Sequence, residues 1–186
     1  MIERKIIALS GLSGAGKSTV LKELKLAVEF VHLSAGELIK EQKLIEENEN
    51  ASAEQLRNGD IQHNQRLFKA AFRRRTSKAE STIILDCHTL IDTPGGMQLV
   101  PEDTFDHLGL TNFCFLRINP PELVRRRMID VRRERPIRSE HDLAEQQLKA
   151  FDHAGRIARA LAIPFLEIDY RSARKKLVLL INENEG

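Results

Sequence analysis

One segment limits what this chain can fold into more than any other: GLSGAGKST, from Gly11 to Thr19. It fits G-x-x-x-x-G-K-[ST] through Gly11, Gly16, Lys17 and Ser18. It also stands where that pattern needs to stand, after the apolar run Ile6 to Leu9 and at the head of a helix-patterned stretch. Glycines let successive backbone N–H groups converge on phosphate oxygens, and the N-terminus of the following helix adds partial positive charge. The spacing therefore predicts a phosphate-binding loop built from Gly11, Ser13, Gly14, Ala15, Gly16, Lys17, Ser18 and Thr19. In such a loop Lys17 reaches the β and γ phosphates of ATP and the Ser18 hydroxyl ligates Mg2+.

The rest of the chain repeats the strand-then-helix rhythm that the loop demands. Apolar runs at Ile6 to Leu9, Phe30 to Leu33, Thr82 to Leu85, Phe113 to Ile118 and Phe165 to Ile168 read as strands. Charged, periodic stretches at 17–28, 36–48, 60–78, 121–134, 141–161 and 171–181 read as helices. This alternation predicts an α/β fold with a parallel sheet covered on both faces. With 186 residues, no linker and no internal repeat, one domain over 1–186 is the economical reading. Asn48 to Asp60 and Asp92 to Asp103 read as loops, the second through Thr-Pro-Gly-Gly and Pro101. In Arg132 to Glu140, Pro136 interrupts the helix pattern, and Ser139 followed by Asp142 forms a cap for the next helix.

Composition removes several classes. No apolar run approaches the ~20 residues of a membrane span, and MIERKIIALSG lacks the apolar core and cleavage site of a signal peptide. Cys87 and Cys114 both lie in apolar segments, as reduced thiols do, so the expected setting is cytoplasmic. A formal net charge of +2 gives no ground for a nucleic-acid partner. The basic residues are instead clustered, in Arg73 to Arg75 and again in Arg125, Arg126, Arg127, Arg132, Arg133, Arg135 and Arg138.

Three further features carry chemistry. Thr82 to Leu85 ends in Asp86, and an acid at that place beside Lys17 and Ser18 is expected to hold Mg2+ directly or through water, although strand-ending acids also cap helices and turns. His88 is expected to position substrate rather than to move a proton, because phosphoryl transfer depends on charge stabilisation more than on a base. The second arginine cluster supplies planar guanidinium forks that neutralise converging phosphates. Helical spacing turns Arg125, Arg126 and Arg127 about 100° apart, which leaves one or two of them for solvent or for Glu122 and Asp130.

With these residues in place, the sequence resembles an adenylate kinase, and within that family the archaeal-type, short-lid branch. ILDCHTLIDTPGG, residues 84–96, is similar to that branch's Asp-x-His segment followed by Thr-Pro and Gly. Asn119-Pro120-Pro121-Glu122-Leu123-Val124 and the arginines after it resemble the approach to the lid. Arg132, Arg133, Arg135 and Ser139 fit the Arg-rich lid, while Pro136 and Arg138 stand where the branch usually has acidic residues.

The resemblance implies a P-loop NTPase three-layer sandwich. Its five parallel strands would run in the order 2-3-1-4-5, with an acceptor-binding segment at about 34–78 and a short lid at about 131–141. By the same match Arg127 would lie against the ATP adenine, and Arg132 or Arg133 would contact the transferring phosphate. Arg138 joins these and Lys17 as the expected catalytic set. Gly36, Lys40, Arg57 and His88 would line the acceptor side, with AMP as acceptor. Here the chain departs from the pattern: Ala35 replaces a threonine, Lys40 an arginine, and Ala53 falls near a second expected arginine. Gln147 stands where the family tends to have His or Arg.

ATP and Mg2+ are the implied cofactors, and a trimer is implied by the resemblance alone. Two other readings share the loop: a kinase of a small hydroxyl metabolite, and an ATPase-type assembly factor contacting RNA. The absence of Trp and the single Tyr argue against the second, because single-strand binders present aromatic platforms.

Overall fold

In the computed structural model, residues 4–93, 95–130 and 135–183 are described. Strand β1 (Ile6–Ser10) is buried along its whole length, as a central parallel strand must be when helices cover both of its faces. It is followed by α1 (Lys17–Leu24), β2 (Val31–Ser34), α2 (Ala35–Glu47), α3 (Ala53–Asn58) and α4 (Ile61–Thr76). Then come β3 (Ile83–Asp86), the pair β4 (Leu90–Thr93) and β5 (Gly96–Leu99), and a 3-10 turn at Glu102–Phe105. The chain continues through β6 (Asn112–Arg117), α5 (Pro120–Ile129), α6 (Glu140–Ala160), β7 (Phe165–Asp169) and α7 (Ala173–Asn182).

The main sheet is parallel, in the order β2-β3-β1-β6-β7. Leaving the β4–β5 ribbon out of the count, this is the expected 2-3-1-4-5. Alternation along β6 shows why helices cover both faces. Phe113 and Phe115 meet Phe105 and Phe151 in edge contacts at 5.4 and 5.5 Å, while Cys114 and Leu116, equally buried, point the other way. Helix α6 buries the stripe Leu143, Gln147, Ala150, Ala154, Ile157 and Ala158, and α1 packs on α7. Both cysteines are free and buried, and burial pushes the Cys114 thiol up to about 12. Among the described residues no helix is long and apolar enough to cross a membrane.

Three expectations need correcting. The segment 48–60 is not a loop throughout. Ser52 and Gln55 close a capping box and Leu56 is buried beneath it, which makes the short helix α3. It is too brief for any periodicity to show in the sequence. The segment 92–103 is likewise structured, because β4 and β5 pair antiparallel from Leu90↔Leu99 to Thr93↔Gly96. This ribbon exposes Met97, Gln98 and Leu99, so it lacks the apolar signature of a core strand. Finally, α5 starts on Pro120 and ends at Ile129, with Asp130 as its cap; of the expected 121–134 helix, residues 131–134 lie outside the described residues.

The expected cap of α6 is present. The Ser139 side chain accepts from the Asp142 N–H at 3.1 Å, and the Asp142 carboxylate accepts from the Ser139 N–H at 3.0 Å. Ser139→Ala should therefore cost about 1 kcal/mol of unfolding free energy, read from urea denaturation.

Candidate functional site

The carboxyl ends of the parallel strands gather the chemistry. Gly11 leaves β1 so close to β6 that a Cβ there would stand 2.8 Å from the Leu116 carbonyl oxygen. Gly16 caps α1 at φ 99°, in the left-handed region, where a Cβ would meet both Arg126 and Tyr170. Between them the loop delivers Lys17 as the first residue of α1, with Ser18 and Thr19 exposed on the same turn.

Lys17 is buried and its ammonium is held by the protein itself. Nζ donates to the Gly11 carbonyl at 3.0 Å and lies 3.5 Å from Asp86 Oδ1. His88 Nδ1 lies 2.8 Å from the same carbonyl, so its protonated Nδ1 donates there. The 3.4 Å approach between Lys17 and His88 is then a contact rather than a hydrogen bond. Asp86 is brought to this point by register, since β1 and β3 pair Leu9 with Asp86. On its other side, His32 Nε2 stands 4.0 Å from Asp86 Oδ2. Burial holds the His32 imidazole below the ordinary histidine range, with Asp86 opposing and Lys25 assisting.

A hydroxyl and a single carboxylate are hard oxygen donors, the set that suits a Mg2+ ion otherwise held by phosphates and water. Among the described residues no cluster of three acidic, histidine or cysteine side chains forms a cage of its own. The exposed Ser18 hydroxyl and the Asp86 carboxylate are donors of that chemical kind.

The arginines form a second layer over the loop. Arg127 donates from Nε to the Ser13 carbonyl at 3.0 Å and faces Asp92 Oδ2 at 3.4 Å. Arg138 donates to Asp92 Oδ1 from both Nε, at 3.2 Å, and Nη2, at 2.9 Å. Arg135 reaches the loop as well, with Nε 3.1 Å from Ser13 Oγ and Nη2 2.6 Å from Asp130. It is only 8% exposed, yet its Nη1 is buried without a hydrogen-bond partner among the described residues.

Arg126 donates to the Ala15 carbonyl at 3.0 Å and lies 3.9 Å over the Tyr170 ring. Arg125 and Arg126 are paired with Glu122, and those two guanidiniums, Arg125 first, hold the Glu122 carboxyl down at about 2. Arg132 and Arg133 lie outside the described residues.

The expected acceptor residues are spread over three places, His88 standing at the loop as described. Gly36 and Lys40 lie on α2, where Lys40 is ion-paired with Glu37 at 2.8 Å. Arg57, on α3, lines a cavity of about 330 Å3 with Asn58, Thr93, Gly95 and Gln98. Arg74 pairs with Glu41 and Gln42 across the α2–α4 contact, and Lys69 donates to the Asp103 carbonyl, so both serve the packing of this segment.

Sequence reading missed Asp92 and His32 here, although Asp92 stands inside the quoted 84–96 segment. Its role depends on arginines 35 and 46 positions away, which no local pattern reports. Arg135 was read as one of the lid arginines without its partners, and His32 gave no signal beyond being a histidine in a strand. Gln147 was noted as a departure. It spends its amide on the backbone, accepting from the Ile118 N–H at 3.0 Å and donating to the Ile118 carbonyl at 2.9 Å.

A family model described as an AAA domain matches residues 10–144. The adenylate kinase of Methanococcus aeolicus is 25% identical over 157 residues, spanning 78% of this chain and 79% of its own length. Among solved structures, a shikimate kinase from Bacteroides thetaiotaomicron aligns with a TM-score of 0.56 at 19% identity, covering 96% of this chain and 98% of its own. A gluconokinase from Sinorhizobium meliloti aligns at 0.54 and 18%, covering 96% and 94%. These two likenesses show the fold.

Asp92 and Arg127 are each 9% exposed, so neutralising the acid strands a buried cation. Asp92→Asn should cost about 3 kcal/mol in chemical denaturation. Glu122 gives a pH signature. Its folded pKa of about 2 lies below the ordinary 4.5, so its contribution is whole above pH 4.5 and disappears as pH falls toward 2. A carboxyl-carbon NMR titration should show that midpoint, and Arg126→Gln should raise it.

Proposed function

Since the chain belongs to the AAA-domain family of P-loop proteins and is a phosphotransferase of the kinase fold, we propose that it transfers the γ-phosphoryl group of MgATP to a nucleoside monophosphate, with AMP as the first acceptor to test. The observation that carries this reading is the meeting of Lys17, Asp86 and the loop at one end of the sheet, with Arg127 and Arg135 seated on Ser13 of the same loop.

Each residue has a part. The loop amides and Lys17 take the donor phosphates, and Lys17 exchanges the Gly11 carbonyl for phosphate oxygens as it does so. Ser18 and Asp86 hold Mg2+, which supplies charge neutralisation at the phosphates. Arg127, Arg135 and Arg138, with Arg132 and Arg133 from outside the described residues, offset the charge of the transition state; the Nη1 of Arg135, without a partner among the described residues, is a donor for which phosphate would be the acceptor. Closing the lid over them excludes the water that would otherwise hydrolyse ATP. His88, fixed on the Gly11 carbonyl, orients the acceptor without moving a proton. Gly36, Lys40 and Arg57 complete the acceptor side, with Arg57 holding the acceptor's anion.

One observation favours a second acceptor class. The cavity beside Arg57 is walled by Asn58, Thr93, Gly95 and Gln98, hydrogen-bonding groups without an aromatic ring, which suits a small polyhydroxy acid as well as a base. A coupled assay of ADP formation with MgATP and each of AMP, CMP, UMP, GMP, dTMP, gluconate and shikimate decides between them. Turnover with AMP supports the proposal. Turnover with a hydroxy acid alone moves the assignment, and no stimulation above basal hydrolysis by any acceptor overturns it. Lys17→Ala should abolish turnover with whichever acceptor is used; near-normal activity in that variant would sink the role of the loop.

A further inference from the structure

Asp86 is bracketed by two nitrogens with different attachments. Lys17 approaches Oδ1 at 3.5 Å and His32 Nε2 faces Oδ2 at 4.0 Å. Lys17 belongs to the phosphate-binding loop, and donor phosphates recruit it. When it turns to them, Asp86 loses that counter-charge at the moment its orientation matters. His32 does not follow, because its place is set by the sheet.

The β2–β3 register puts His32 opposite Ile84 and Ser34 opposite Asp86. Opposed residues in a ladder share a face, so His32 is the diagonal neighbour of Asp86 on one side of the sheet. Diagonal neighbours lie within reach of a long side chain. The ring is mostly buried, and its Nε2 is a buried polar atom with no hydrogen-bond partner among the described residues. Such an orphan is costly to a fold. Here it faces a carboxylate that stands just beyond hydrogen-bonding distance, so a movement of about 1 Å would close the bond.

We propose that His32 is a positioning residue for Asp86: once Lys17 engages phosphate, the His32 ring donates from Nε2 to Oδ2 and keeps Oδ1 turned toward the loop, so that the carboxylate meets Mg2+ in one orientation. The inference rests on the metal role of Asp86 given above and adds the residue that aims it. Partners of this kind, one shell out from a metal, typically change its affinity by 10–100-fold when removed.

The test is calorimetric titration of ADP into the full chain with and without Mg2+, using wild type, His32→Leu, His32→Gln and Asp86→Asn. Wild type should bind ADP more tightly with Mg2+. His32→Leu, which keeps bulk but loses the N–H, should lose about tenfold of that gain while binding metal-free ADP as wild type does. His32→Gln, which retains an N–H donor, should keep most of the gain. Should His32→Leu misfold, His32→Asn replaces it: its amide is too short to reach Asp86, and the same loss is expected.

A His32→Leu or His32→Asn protein with the wild-type Mg2+ gain overturns the proposal. So does one whose metal-free affinity falls by the same factor, which would mark a structural role. If Asp86→Asn loses the gain and the His32 variants keep it, His32 alone was misassigned. If Asp86→Asn also keeps it, the metal role of Asp86 falls too.

Discussion

The approach of Lys17 to Asp86 is the contact on which the rest of the site depends. A buried ammonium needs an anion and hydrogen-bond acceptors, and the chain meets that need with one carboxylate and one carbonyl of its own loop. Both come from strand geometry: the carbonyl from the exit of β1, the carboxylate from the end of β3, held level by the parallel ladder. The loop is thus held by groups of the protein itself.

Above that pair lies a positively charged layer that would repel itself without Asp92. Arg127 and Arg138 converge on its two oxygens, and Arg135 finds Asp130. Burial opposes the charge on Arg127 while Asp92 supports it. The hairpin β4–β5 therefore acts on the site through one side chain. It brings an anion to a place where, in a protein that handles phosphates, anions are also expected to bind. Its position on a short ribbon outside the main sheet leaves the parallel core free of that demand.

The parallel sheet and the loop were legible because each has a local signature: an apolar run, a glycine spacing, a helix period; the strand order came from the family resemblance alone. Residues 6–9 and 82–85 could hardly be read otherwise. What stayed hidden is what depends on pairing across the chain. The ribbon has few apolar residues, and α3 is held by one capping box and one buried leucine. Asp92 has meaning only with Arg127 and Arg138 folded against it. His32 reads as a strand residue until the register sets it beside Asp86. Arginine clustering told the type of chemistry but not which guanidinium goes where: Arg125 and Arg126 serve Glu122, while the buried Arg135 reaches Ser13 of the loop.

Gln147 shows what one departure from the family pattern has done. A primary amide that answers both the N–H and the carbonyl of Ile118 behaves as one more peptide unit, stitching α6 to the corner where β6 turns into α5. One N–H and one lone pair of the amide are committed to the backbone of Ile118. The end of β6 and the body of α6 are thereby fastened to each other, so the start of α5 takes its place from that joint.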